Sequence, residues 1–284
     1  MLDLLTLIMN LSTLVFVVTS MLAMGLSLSL AEIGAPLRNA RLVIVALAAN
    51  FVLVPLVAYL IIAIFPLDDG LKIGLILVST AAGAPFLPRL AQIAKGNLAF
   101  SVGLMVLLMV VTIAYMPLVL QWLIQGVSVD PWSIARPLII LMLIPLAIGL
   151  LIRAGYVHIA KSLQPYMTQV STLALILIIA SGLLANLKAV LGVFAGGGIL
   201  SLLLFLALAF IFGYVLGGKE DAIRSVLALG TAQRNLSAAL VIATANFAAQ
   251  ADVIAMVLVL GLVDLSSLLI TANLLRRRYG NLNI

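Results

Sequence analysis

The chain has 284 residues, 65% of them hydrophobic and 8% charged, with a net charge of +6 and no cysteine. Soluble domains carry about 25% charged and about 45–50% apolar residues, so a water-soluble globule of this size is excluded, and the hydrocarbon core of a bilayer is the solvent that accepts such a surface. The positive charges lie between apolar runs rather than on one soluble face, which argues against a nucleic-acid partner, and the lack of cysteine excludes disulfides and thiolate metal sites.

Apolar runs long enough to cross about 30 Å at about 1.5 Å per residue fall near residues 4–28, 42–65, 71–94, 98–124, 137–152, 170–187, 199–216, 222–247 and 253–275. They predict an all-α integral membrane protein of about nine transmembrane helices in one transmembrane domain, the fifth helix being short. The N-terminus opens with Asp3 and no basic stretch, so the first run does not read as a cleaved signal peptide. The only histidine, His158, falls between the fifth and sixth runs. Zinc, haem and histidine acid–base chemistry therefore find no support, and no metal or cofactor is expected. Gly196-Gly197-Gly198 reads as a loose loop ahead of the seventh run. Trp122 and Trp132 suit an interfacial belt, and Arg276-Arg277-Arg278 a stop-transfer anchor facing anionic lipid.

Loop charge sets the orientation. Arg38, Arg41, Lys95, Arg153, Lys161, Lys219, Arg224, Arg276, Arg277 and Arg278 fall on one side. The other side holds Lys72, Arg136 and Lys188 together with Asp3, Asp68, Asp69, Asp130 and Asp252. The positive-inside rule then places the N-terminus outside and the C-terminus in the cytoplasm of a cell (inner) membrane.

Two runs are interrupted. The third contains Ala81-Ala82-Gly83-Ala84-Pro85-Phe86-Leu87-Pro88-Arg89, where two prolines behind a glycine remove backbone donors and clash with preceding carbonyls. The eighth contains the polar stretch Gly230-Thr231-Ala232-Gln233-Arg234-Asn235. Interrupted spans at corresponding places in two halves point to a transporter binding site near mid-membrane. The two runs are five apart and cross in opposite directions. An inverted repeat follows, with repeat one over about 4–124 and repeat two over about 137–275.

On these residues the chain resembles the bile acid:sodium symporter family, within the wider group of bile acid, auxin and arsenite carriers. Met24-Gly25-Leu26 is similar to a Met-Gly-Leu of that family. Ala94-Lys95-Gly96-Asn97-Leu98-Ala99-Phe100-Ser101 is similar to its Ala-Lys/Arg-Gly-Asn-x-Ala-x-Ser, and Gly230 to Ala238 to the Gln-Asn segment of its second broken helix. The resemblance implies a core domain built on two crossing broken helices, a panel domain beside it, and alternating access. It also implies sodium ligands, and here the sequence departs. Leu87 and Pro88 stand where a Ser-Asn pair is expected, Leu229 where a glutamate is, and Met105 where a threonine is. Asn50, Ser101, Thr231 and Gln233 remain as candidate ion ligands. A hard cation needs several oxygens and leucine supplies none, so the resemblance implies a symporter scaffold with degenerate sodium sites, coupled to sodium or to protons.

Ionisable residues inside a membrane cost roughly 2.5–3.5 kcal/mol each and mark a cavity or a partner. Arg234 and Asp264 both fall at mid-depth, about 18 and 16 Å into their spans. Arg89 falls just after the first break, within snorkelling reach of the cytoplasmic surface. Half-helices that restart after a break present free N–H groups and a positive dipole end, a ready anion site. Arg89 and Arg234 would each sit in a first turn, where a cation opposes the dipole and a bound carboxylate would justify it. Arg89, Gln233, Arg234, Asn235 and Asp264 are accordingly the candidate substrate-binding residues, for a small organic anion. The competing possibility is that Arg234 and Asp264 simply pair to glue the bundle. At the level of function the alternatives are a channel or a non-transporting sensor on the same scaffold. An intramembrane enzyme is disfavoured, because only one carboxylate falls deep in a span and no histidine does.

Overall fold

The structure, a computed structural model, describes residues 2–34, 38–124, 130–195 and 197–280. Gly196 of the glycine run lies outside them. Every regular element among the described residues is helical. In chain order these are α1 (Leu2–Ser27), α2 (Leu30–Gly34), α3 (Ala40–Ala48), α4 (Val54–Ile64), α5 (Asp69–Thr80), α6 (Leu87–Ile93), α7 (Leu98–Leu123), α8 (Pro131–Leu138), α9 (Ile144–Gly155), α10 (Val157–Ala185), α11 (Leu187–Ala195), α12 (Gly198–Leu216), α13 (Asp221–Ala232), α14 (Leu236–Asn246) and α15 (Ala251–Gly280).

Eight helical runs among the described residues are long and apolar enough to cross a membrane. The third expected span supplies a ninth only as two half-helices, α5 of 12 residues and α6 of 7. Large apolar side chains such as Ile64, Trp122, Leu151 and Val215 are exposed, which suits a lipid-facing surface and not a wet one.

Two pairs of helices join through π-helical turns, and each turn has a proline as its cause. Ala49–Leu53 links α3 to α4 ahead of Pro55, and Ile139–Leu143 links α8 to α9 ahead of Pro145. A proline cannot donate to the carbonyl four residues back, and its ring pushes that carbonyl away. The carbonyl freed by Pro55 is that of Phe51, and Tyr115 of α7 donates its hydroxyl to it at 2.7 Å.

The fifth span differs from expectation. It begins at Pro131 rather than near 137, and runs 25 residues to Gly155. Asp130 caps it, accepting from the Ser133 N–H at 2.9 Å. The sixth also begins earlier, at Val157. Polar residues there hid the helix from a hydropathy count, yet they bond along it: Thr168 donates to the Gln164 carbonyl at 3.0 Å. The short helix α11 carries no signal strong enough to separate it from a loop.

The spans form two groups. In the first, α1 packs on both α9 and α10. Its crossing with α9 is a backbone contact between two glycines: a Cβ on Gly25 would meet the Leu146 carbonyl oxygen and come within 2.9 Å of the Gly149 Cα, and one on Gly149 would lie 2.8 Å from the Gly25 Cα. Small residues let membrane helices approach this closely. The second group surrounds the two interrupted spans. There α5 packs on α4, α7, α14 and α15, while α13 packs on α12, α15, α6 and α7. Exchanging spans two, three and four with seven, eight and nine turns the first set of neighbours into the second. The two sets of contacts therefore correspond under that exchange.

Candidate functional site

The second interrupted span is the most enclosed part of the fold. In its most apolar stretch 94% of residues are buried, against 28% in the spans Pro131–Gly155 and Val157–Ala185. A charge placed here cannot snorkel.

The first break comprises residues 81–86, after which α6 restarts at Leu87. Gly83 has φ +80°, and any Cβ there would strike the Met109 N–H and lie 2.7 Å from the Met105 carbonyl oxygen. Only glycine satisfies both demands. Pro85 lies in the turn, while Pro88 sits at the start of α6, where a missing N–H costs nothing. The peptide of Ala82 is held at both ends by one side chain: its N–H donates to the Thr112 hydroxyl at 3.0 Å, and the hydroxyl donates to its carbonyl at 3.1 Å.

The second break comprises Gln233, Arg234 and Asn235. Expectation began it at Gly230. Instead α13 continues to Ala232, with Gly230 inside the helix facing the side-chain ends of Leu87 of α6 and Leu104 of α7. Asn235 joins the two breaks. Its N–H donates to the Ala81 carbonyl at 2.9 Å, its side-chain amide to the Gly83 carbonyl at 3.0 Å, and its side-chain oxygen accepts the Ala238 N–H of α14 at 3.1 Å.

Arg234 is 1% exposed. Its Nε donates to the Val78 carbonyl at 3.1 Å and its Nη2 to the Ser79 carbonyl at 2.8 Å. Its Nη1 donates to the Thr231 carbonyl at 3.0 Å and to Asn50 Oδ1 at 3.0 Å. Val78, Ser79 and Thr231 belong to the last turns of α5 and α13, whose carbonyls lack the N–H four residues on that a continuing helix would supply; the Val78 carbonyl also accepts the Ala81 N–H at 3.1 Å. The expectation of a cation in the first turn of a half-helix therefore needs correction for Arg234. It lies in the linker and serves two C-terminal helix ends, where the dipole favours it. Asn50 also donates to the Ala46 carbonyl at 3.0 Å and the Thr231 hydroxyl at 3.3 Å. It reaches the crossing because the π turn at Ala49–Leu53 holds it there.

Asp264 is buried on α15, which packs on both α13 and α14. No N···O contact within 4.0 Å joins it to the guanidinium; among the described residues the close ion pair is Lys72–Asp69. The simple ion pair considered from the sequence is therefore not formed. One oxygen of Asp264 has no hydrogen-bond partner, and the same holds for Gln233 Oε1 and Ser237 Oγ.

The structure thus brings together Asn50, Thr231, Arg234 and Asn235, with Gln233 and Asp264 beside them. The other two candidates turn to different partners. Arg89 is exposed and donates to Gln92 at 2.8 Å, and Ser101 donates to the Leu98 carbonyl of its own helix at 2.6 Å. The Lys-Gly-Asn stretch serves the junction of the halves. Asn97 caps α7, accepting the Phe100 N–H at 2.9 Å, and its own N–H reaches the Ala222 carbonyl at 3.0 Å. Thr112 and Tyr115 were missed from sequence. A hydroxyl in a membrane helix usually bonds to its own backbone, and only the freed Phe51 carbonyl, four residues before Pro55, hinted at a partner.

A family model described as "Sodium Bile acid symporter family" matches residues 14–193. Among curated proteins, the chain is 27% identical over 195 residues to "Probable sodium/metabolite cotransporter BASS3, chloroplastic" of Arabidopsis thaliana, covering 68% of this chain and 45% of the relative. It is 25% identical over 204 residues to the BASS5 protein of the same description from Oryza sativa subsp. indica, covering 70% and 51%. It is 23% identical over 239 residues to the Arabidopsis thaliana BASS1 protein, covering 83% and 59%. The chain spans about half the length of these curated relatives.

Proposed function

The chain belongs to the sodium bile acid symporter family, and on that premise we propose that it is a secondary transporter. In this proposal it moves a small organic anion across a cell membrane by alternating access, with the N-terminus outside and the C-terminus in the cytoplasm. The observation that carries the proposal is the crossing itself: two helices broken at mid-span, each break closed by groups of the other, with Asn235 bonded to Ala81 and Gly83. Irregular backbone at membrane depth is tolerated where it lines a cavity or is buried in protein, and in carriers such breaks form the substrate site. Relatives named as sodium/metabolite cotransporters support the same class.

The substrate-binding set we propose is Gln233 and Asp264 at the second break, with Arg89 at the start of α6, while Asn235 holds the two breaks together with its amide on the Ala82 and Gly83 carbonyls. Arg234 contributes positive potential rather than direct hydrogen bonds, since four of its five N–H donors are taken up by the protein. The positive field at the crossing favours an anion, and the scarcity of polar groups favours a small one.

The test is a screen of monocarboxylates, dicarboxylates and sulfonates, read by thermal shift of the purified protein. Each stabilising anion is then followed as radiolabelled uptake into proteoliposomes with an inward sodium gradient, an inward proton gradient, or neither. A carrier gives saturable uptake of at least one stabilising anion. Non-saturating flux would favour a channel, and binding without flux a sensor.

A further inference from the structure

We propose that the Arg234 guanidinium is a built-in cation occupying the place of a coupling ion at the crossing, in a site that takes a free guanidinium-class cation when the side chain is removed. This deepens the transport proposal, and its consequence for coupling rests on that proposal; the site itself does not.

The physical case begins with the acceptors. In carriers with interrupted helices, unwound carbonyls and the C-terminal ends of half-helices are the groups that coordinate a coupling cation. Here those groups are the Val78 and Ser79 carbonyls at the end of α5 and the Thr231 carbonyl at the end of α13, joined by Asn50 Oδ1 from the π turn. All four are oxygens, they come from three separate spans, and they converge on one buried positive charge. A guanidinium matches them because it is planar, permanently charged and presents its donors in a fixed fork.

Two features mark the arrangement as a cation site rather than ordinary helix capping. The charge is fully enclosed, yet no carboxylate among the described residues lies within ion-pair distance; its donors are met by carbonyl and amide oxygens, as a bound ion would be. The acceptors also belong to elements on both sides of the crossing. Holding them on one cation fixes α5, α13 and the α3–α4 junction relative to one another. A tethered cation performs that task at any sodium concentration.

The test uses the full-length protein purified in detergent. Arg234→Ala should melt well below wild type, and guanidinium chloride at millimolar, non-denaturing concentrations should raise its melting temperature saturably. Sodium chloride, potassium chloride and urea serve as controls and should not do so; wild type should show no rise with any of them. Adding Asn50→Ala to Arg234→Ala removes one oxygen of the site and should weaken guanidinium rescue by about tenfold, the loss of one charge-assisted hydrogen bond. The pair Arg234→Lys and Arg234→Met keeps the test decisive if the alanine variant does not fold. The lysine variant retains a cation and should fold and melt above the methionine variant. Guanidinium that fails to stabilise Arg234→Ala, or a methionine variant as stable as the lysine one, would overturn the proposal. In proteoliposomes, wild-type uptake should be unchanged when choline replaces sodium. Loss of uptake in choline together with intact guanidinium rescue would leave the site standing and overturn only its role in coupling.

Discussion

Arg234 donates to Asn50 Oδ1 at 3.0 Å across a separation of 184 residues. The bond ties a π turn in the second span to the break in the eighth, and so ties the two halves of the molecule. Asp264 lies nearby without an ion-pair contact. Two double-mutant cycles should therefore differ. The Asn50→Leu/Arg234→Met cycle is expected to show a coupling of about 1.5–3 kcal/mol, the range for a hydrogen bond to a charged group. The Arg234→Met/Asp264→Asn cycle is expected to show less, and the double variant Arg234→Gln/Asp264→Asn not to recover wild-type stability. Thermal or denaturant melts of the six variants check this; a larger coupling to Asp264 would show that the carboxylate is the true partner.

Thr112 holds both ends of the Ala82 peptide. Thr112→Val preserves shape and removes both bonds, leaving the buried Ala82 N–H unsatisfied at about 1–3 kcal/mol and the Ala82 carbonyl with the Asn235 amide at 3.4 Å. We expect a correspondingly lower melting temperature, whereas Thr112→Ser retains the hydroxyl and loses only a methyl. Equal melting of the valine and wild-type proteins would mean that the first break is held in some other way.

Lys95 ends α6 with φ +56°, the left-handed conformation, while its N–H donates to Gln92 and that of Gly96 to Ala91. The glycine sits one residue later than the backbone conformation asks, because a Cβ on Gly96 would lie 2.7 Å from Val226 Cγ2. Packing and not φ fixes its position. Lys95→Gly should then stabilise by several tenths of a kcal/mol to about 1 kcal/mol, and Gly96→Ala should destabilise. Melting curves of the two variants, moving in opposite directions, check the assignment.

Gly25 and Gly149 are in mutual backbone contact. Gly25→Val should push α1 off α9 and lower stability by more than about 2 kcal/mol, since the obstruction is backbone that cannot rotate away. Melting curves of Gly25→Val and wild type check this; equal melting temperatures would mean that α1 and α9 do not meet through these glycines.

Much of this was legible in the sequence. The nine spans followed from run lengths, and both interruptions from Pro85, Gly83 and the polar stretch around Arg234, because a broken membrane helix needs residues that are conspicuous in an apolar chain. Which helix ends Arg234 serves was not legible. One linker arginine can reach any of the four half-helix ends, and only the crossing decides. Thr112 was hidden among hydroxyls that bond to their own helix. The early start of the sixth span was hidden by Gln164 and Thr168, which are polar yet bonded along α10. Ser29 and Glu32 have the spacing of a capping box. Ser29 donates its N–H and hydroxyl to Glu32 Oε2, both at 2.7 Å, holding that carboxyl below the usual carboxylate range.

The central claim is that the crossing belongs to a carrier. Its most direct test is counterflow: proteoliposomes loaded with an unlabelled anion that stabilises the protein are diluted into a trace of the same anion, radiolabelled. A carrier predicts transient accumulation of label above the outside concentration, absent in protein-free vesicles and reduced at least tenfold when Asn235, the residue that joins the two breaks, is replaced in Asn235→Leu. Label that only equilibrates, or never enters, would contradict the account.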